Sequence, residues 1–362
     1  MATTRKTIAA AALLALMASA RQGRAELAPD WYASLISDQG IELSADTRIF
    51  ALFSAWNALG YDAGPLARRD PIPRPELSAA RATVRQRATM SPELAGLFQA
   101  FMDAHPLPRR AYVAYAVALG PAPTFARGAV PSESAPLAGF ETLLARWWAE
   151  GKLDRLYAET LPQYRAALKG YLPRLDAAFA QADRMLESPH AEKPPPPTVV
   201  VNLLDGAGLG YGVRWGAGSV LVVGPGAGGD PDDLRAVMAA YASVRAGPLL
   251  GERAAAVKGL PELVEHVRRL GLPDGALSPA QYLTRCFSLA VAAEALPAER
   301  DEELAGAMKS GCWLTAELDR TLREAPGGGE GSALERTATA LGTLDARKVG
   351  PGEEAAAGPR RR

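Results

Sequence analysis

Side chains able to do chemistry are scarce in this chain, and few stand at useful spacings. The three histidines are His105, His190 and His266. None has a second histidine or a cysteine at i, i+4, the local pairing from which zinc sites are commonly built, so each reads as a surface histidine. Cys286 and Cys312 are the two cysteines, and they fall on consecutive predicted helices. In an exported chain an even count permits one disulfide, here a staple across a helical hairpin; the alternative is two buried thiols. Gly224-Pro225-Gly226-Ala227-Gly228-Gly229 matches G-x-G-x-x-G between a strand and a helix, the context of a dinucleotide site. Pro225 removes one amide from that cradle, and Asp230, Asp232 and Asp233 would repel a pyrophosphate at the helix start. The loop therefore reads as a glycine turn into a helix capped by acids. No G-x-S-x-G elbow is present to place a nucleophilic serine.

The elements around this loop follow from composition. Residues 198–204 form a β-branched apolar run, and 213–215 and 219–223 are further strand candidates. Glycines 206, 208, 210 and 212 read as a turn before a strand. A helix over 231–244 carries Leu234, Val237, Met238 and Tyr241 on one face.

The same stretch resembles a family of secreted bacterial proteins with a gluzincin-type zinc peptidase domain. The likeness rests on Val199-Val200-Val201-Asn202-Leu203-Leu204-Asp205, Gly210-Tyr211, Val222-Val223-Gly224-Pro225 and Ala236-Val237. A second segment, far from the first, is also similar: Ile41-Glu42-Leu43, Asp46 to Phe53, Asn57 and Gly60-Tyr61-Asp62. The resemblance implies an HExxH helix, in which two histidines at i and i+4 bind zinc and the glutamate between them is the general base. That slot falls on Ala239-Ala240-Tyr241-Ala242-Ser243. Alanine has no donor atom, and a neutral serine is a poor zinc ligand. The third ligand, a glutamate on a later helix, aligns with Arg285, whose charge opposes a metal. The degenerate positions are thus Ala239, Ala240, Ser243 and Arg285, and the resemblance implies no metal and no other cofactor.

The chain's 362 residues are 48% hydrophobic and 22% charged, enough for one large or two smaller domains. Arg5 and Lys6 precede an apolar run over 7–18, followed by small-residue cleavage sites near Ala20 and Ala25. Residues 1–25 therefore read as a secretory signal peptide, too short to span a membrane. Without them the chain has 36 basic and 40 acidic residues. No basic stripe with interleaved aromatics points to nucleic acid.

Periodicity predicts helices at 47–61, 75–88, 91–104, 108–119 and 137–150. A further helix, or a pair broken near Pro162 and Pro173, covers 153–187. The loop at 120–136 holds four prolines, and Pro194–Pro197 is a stiff spacer. The aromatic stripe of the first helix and the Trp147-Trp148 pair read as core packing. Beyond residue 250, helices are expected at 251–258, 261–270, 279–295 and 301–323. A mostly disordered tail over 324–362 then holds one short helix at 333–342.

The expected architecture is α+β and mainly helical, with a small β-sheet next to the degenerate zinc-peptidase helix. A helical N-terminal region at 26–190 precedes a gluzincin-like region at 198–323. The expected function is that of a periplasmic or extracellular pseudo-metallopeptidase, non-catalytic, binding an unknown protein or peptide. It would bind no nucleic acid and keep no stable membrane anchor after signal cleavage. The rival readings are a hydrolase of different chemistry in the old cleft and a plain helical interaction module.

Overall fold

The computed structural model describes residues 33–61, 78–186, 194–226, 233–324 and 332–349. The segment 1–25 expected to be a signal peptide, His190, residues 227–232 of the glycine loop and the end of the tail from 350 lie outside the described residues. The fold is α+β and mainly helical around one small mixed sheet.

Five strands form the sheet: β1 (Ser34–Ile36), β2 (Glu42–Ser44), β3 (Thr198–Val201), β4 (Gly210–Trp215) and β5 (Gly218–Val223), in the order β1-β2-β3-β5-β4. β2, β3 and β5 run parallel, and β1 and β4 close the two sides antiparallel. The centre is apolar on both faces: Leu43, Val199, Val200, Val201, Leu221, Val222 and Val223 are all buried, as strands covered on both sides require. The lead-in at 33–46, with no β-branched run, gave no strand signal. β1 and β2 are three residues each, and β2 is fixed by pairing with β3 from Glu42↔Thr198 to Ser44↔Val200. The sheet thus draws strands from both sides of the proline spacer.

The helices are α1 (Thr47–Ala58), α2 (Ala79–Arg87), α3 (Pro92–Ala104), α4 (Arg109–Val117), α5 (Phe140–Glu150), α6 (Leu153–Leu186), α7 (Arg235–Arg253), α8 (Leu260–Arg269), α9 (Pro279–Ala295), α10 (Arg300–Ser310), α11 (Thr315–Glu324) and α12 (Ala333–Ala340). Asp46 caps α1 by accepting from the amides of Arg48 and Ile49, and nine consecutive residues of α1, Ile49 to Asn57, are buried. The aromatic stripe is core, as Phe50, Phe53 and Trp56 pack edge-on against Tyr157, Tyr164, Tyr61 and Tyr112. Trp147 is fully buried and its indole N–H donates to Ser54 Oγ at 2.9 Å.

One open alternative is decided and two elements differ from expectation. α6 is one helix of 34 residues that passes through Pro162 and Pro173. An interior proline costs about 3 kcal/mol, but the buried seam Tyr157, Leu161, Tyr164, Leu168, Tyr171, Leu175, Ala178, Ala182 and Met185 runs unbroken at 4-3 spacing past both. Neither proline lies on that seam, so packing keeps the helix intact. α7 begins at Arg235 and continues through Pro248 to Arg253, taking in the first three residues of the helix expected at 251–258, of which residues 254–256 form only a 3-10 turn. The helix expected at 301–323 is two, because Gly311 takes φ +100° and turns the chain between α10 and α11. Among the described residues, no helix is long and apolar enough to cross a membrane.

Candidate functional site

The four positions aligned with the zinc slots lie on α7 and α9, helices packed against each other, with α7 also against β4 and β5. α7 approaches β4 unusually closely. A Cβ on Gly210 would stand 2.6 Å from the carbonyl oxygen of Ala236, and one on Gly212 would stand 2.5 Å from that of Ala240 and 2.1 Å from Val244 Cγ2. Only glycine allows that approach, which the turn reading of these two glycines had missed: both lie inside β4. Ala239 and Ala240 are buried methyls, Tyr241 and Ala242 are buried too, and Ser243 is half-buried. The Tyr241 hydroxyl donates to Asp183 Oδ1 at 2.6 Å and lies beside Arg245, which ties α7 to α6.

Arg285 is half-buried on α9, and its charge acts on Asp274 in the turn after α8, opposing the burial that pushes the Asp274 carboxyl up. Its neighbour Thr284 approaches α7, with its Cγ2 3.7 Å from where a Cβ on Gly247 would be. Among the described residues, no group of three or more His, Cys, Asp and Glu is arranged to hold a metal ion. His105 Nδ1 is 2.9 Å from the carbonyl oxygen of Phe101, and its ring stacks on Phe101. His266 packs its ring on Trp313 at 5.5 Å. Cys286, on α9, and Cys312, just after α10, form a disulfide with their Cα atoms 5.3 Å apart.

The start of the glycine loop closes on its own sheet. The amide of Gly224 donates to Leu209 O at 2.7 Å, the amide of Gly208 donates to Pro225 O at 2.8 Å, and a Cβ on Gly224 would meet Gly206 O at 2.4 Å. The Gly224 amide is therefore engaged within the fold. Asp233 accepts from the amide of Arg235 at 3.0 Å and pairs with its guanidinium, but the N-cap position of α7 is Leu234, which makes no capping bond, so the expected acidic cap is not formed at Asp233.

A polar cluster that the sequence reading had given no role lies at the carboxyl end of β3. Tyr61 donates to Asp205 Oδ1 at 2.7 Å and accepts from Arg109 Nη1 at 2.7 Å. Asn57 Nδ2 donates to Leu204 O at 2.9 Å, while Asn57 Oδ1 accepts from Arg81 Nε at 2.8 Å. Tyr61 is stacked on Trp56, with the guanidinium carbons of Arg81 and Arg109 at 5.2 and 5.5 Å from its ring centre. All five polar residues are buried, Asp205 and Arg81 completely. Burial pushes the Asp205 carboxyl up; Arg109, the Tyr61 hydroxyl and the Gly206 amide pull it down without cancelling that rise. Burial, reinforced by the Asp205 charge, also holds the Tyr61 hydroxyl well above its ordinary value. Asn57, Tyr61 and Asp205 stood in the two segments that carry the family resemblance, whereas Arg81 and Arg109 stood in neither. The structure brings those segments together: β2 pairs with β3, and Asn57 and Tyr61 bond to the chain at Leu204 and Asp205.

A cavity of about 520 Å³ lies elsewhere, between α11 and α12 with the turn after it, and includes Leu318, Thr321, Thr337, Leu341 and Val349 in its lining. None of the four degenerate positions lines it. Compared with known proteins, the chain matches no family model, no curated protein and no solved structure.

Proposed function

We propose that the chain is a secreted, non-catalytic pseudo-metallopeptidase that serves as a binding or scaffold module for a protein or peptide. One observation carries this reading. α7 runs against β4, an antiparallel strand at the edge of the sheet, with α9 packed alongside, which is the relation a two-ligand helix and a third-ligand helix require. Yet the positions that would hold metal and base are Ala239, Ser243 and Ala240, with Arg285 in the third-ligand slot. An edge strand also offers unpaired backbone groups to an extended peptide. The segment at 1–25 supports export to the periplasm or beyond.

The test is zinc content by atomic emission after dialysis, run with a broad hydrolase screen. The wild type should hold no stoichiometric zinc and cleave nothing. Two variants rebuild the slots: Ala239→His, Ala240→Glu and Ser243→His, combined with either Arg285→Glu or Thr284→Glu. Imidazoles at i, i+4 plus one carboxylate make a three-ligand site open to water, so one of the two should retain one zinc per chain. Absence of zinc in both folded variants would reject the alignment of the slots. Stoichiometric zinc or hydrolysis in the wild type would overturn the non-catalytic reading. Recovery of peptidase activity is not required, because the groups that orient the histidines are not rebuilt.

A further inference from the structure

α10 is held differently from its neighbours. Of its residues only Ala307 is buried, whereas α9 beside it buries eleven. Gly306 sits in its interior with open space around it, which weakens the helix further. What fastens its start is charge, distributed to four different elements. Glu299, at the N-cap, pairs with Arg174 of α6 at 2.6 Å. Arg300 pairs with Glu294 of α9 at 3.0 Å and with Asp319 of α11. Glu302 pairs with Arg235 of α7 at 2.8 Å.

The far end is fastened covalently and by buried hydrogen bonds. Cys312 is joined to Cys286, Tyr282 donates to Gly311 O at 2.7 Å, and Ser310 donates to Asp274 Oδ2. At the near end, before the ion pairs, Leu296 is buried. The segment between Leu296 and Cys312 is thus anchored at both ends, with little apolar burial between them.

We propose that α10 is a charge-latched strap, which lifts from α9 and α11 as a unit when its first-turn ion pairs are broken, while the Cys286–Cys312 bridge and Leu296 keep it attached. Local opening of this kind requires few buried apolar contacts in the moving element and many in what it leaves behind, and α10 and α9 differ in that way. The ion pairs set the opening, since apolar burial contributes so little. The Glu302–Arg235 pair, whose glutamate is exposed, is weakened by salt; Asp319 is almost wholly buried, and its link to Arg300 is broken by mutation rather than by salt. The strap requires neither a metal nor an activity and stands independently of the function proposed above.

Hydrogen–deuterium exchange of the whole protein, read by mass spectrometry, tests the strap. Arg300→Gln removes two of the pairs and should speed exchange of the α10 amides by about tenfold or more, with α7 and α9 within about twofold of wild type. The double variant Glu299→Gln, Glu302→Gln leaves the buried Arg300–Asp319 pair in place; it should give a smaller increase, and about 0.5 M sodium chloride should move the wild type in the same direction. Unchanged α10 exchange in both variants would overturn the proposal, as would equal acceleration of α9, which would make α10 part of the common core.

Discussion

Tyr61 and Asp205 are 144 positions apart and joined by a 2.7 Å hydrogen bond in a fully buried setting. The bond fastens the loop after α1 to the loop after β3, and Arg109 of α4 completes it from a third element. Tyr61→Phe keeps the ring against Trp56 but leaves Asp205 and Arg109 without their shared hydroxyl. An unmade buried hydrogen bond costs about 1–3 kcal/mol. Urea denaturation should show a loss of that size, and a loss below about 0.5 kcal/mol would mean the cluster tolerates rearrangement.

The same carboxyl gives a pH signature. Burial raises the Asp205 pKa in the folded chain above that of an exposed aspartate. Between those two values the folded state keeps a proton that the unfolded state has released. This group's contribution to stability therefore falls as pH rises through that window and is greatest below it. Asp205→Asn should remove that part of the slope in urea midpoints measured across the acidic range. An identical profile in the variant would show that Asp205 is ionised in the folded protein with an ordinary pKa.

The close seat of α7 on β4 predicts a steric effect. Gly212→Ala places a methyl against Val244 and the carbonyl oxygen of Ala240. Overpacking of this kind costs about 1–3 kcal/mol. Adding Val244→Ala should recover only part of the loss, because the Ala240 carbonyl cannot be trimmed. Full recovery in the double variant would place the whole conflict at the valine side chain.

Local pattern made much of this fold legible. α9 spans the residues periodicity and capping assign to it, because Ser278 and Gln281 form a capping box and an apolar face follows. β5 was marked by its valines. What escaped depends on partners far along the chain. β1 and β2 are too short to signal themselves; β2 exists through pairing with β3, and β1 through pairing with β2. Whether α6 is one helix or two stayed open in the sequence, and a buried seam that outweighs two prolines decides it. Gly210 and Gly212 read as a turn because sequence cannot show the helix lying against them. Asn57, Tyr61 and Asp205 stood in the two family-like segments, but nothing in either segment reveals that they meet, or that Arg81 and Arg109 are buried with them.

The disulfide between Cys286 and Cys312 closes a loop across 26 positions, and both residues are completely buried. Limiting the unfolded chain by a loop of that length is worth about 3–4 kcal/mol in the chain-entropy treatment. Cys286→Ser with Cys312→Ser should lower stability to urea by that order, with a further contribution from two hydroxyls placed among apolar neighbours. Cys286→Ala with Cys312→Ala separates the two, since alanine leaves no unpaired polar group. Because neither sulfur is exposed, the native protein should resist dithiothreitol until it opens, and reduction should accelerate on adding urea below the unfolding midpoint. Mass spectrometry of alkylated samples reads the fraction reduced at each step. Rapid reduction without denaturant, at a rate indifferent to urea, would show that the bridge is reached without opening the α9 to α11 region. A stability loss under about 1 kcal/mol in the alanine pair would show that the unfolded chain is already confined there by other means.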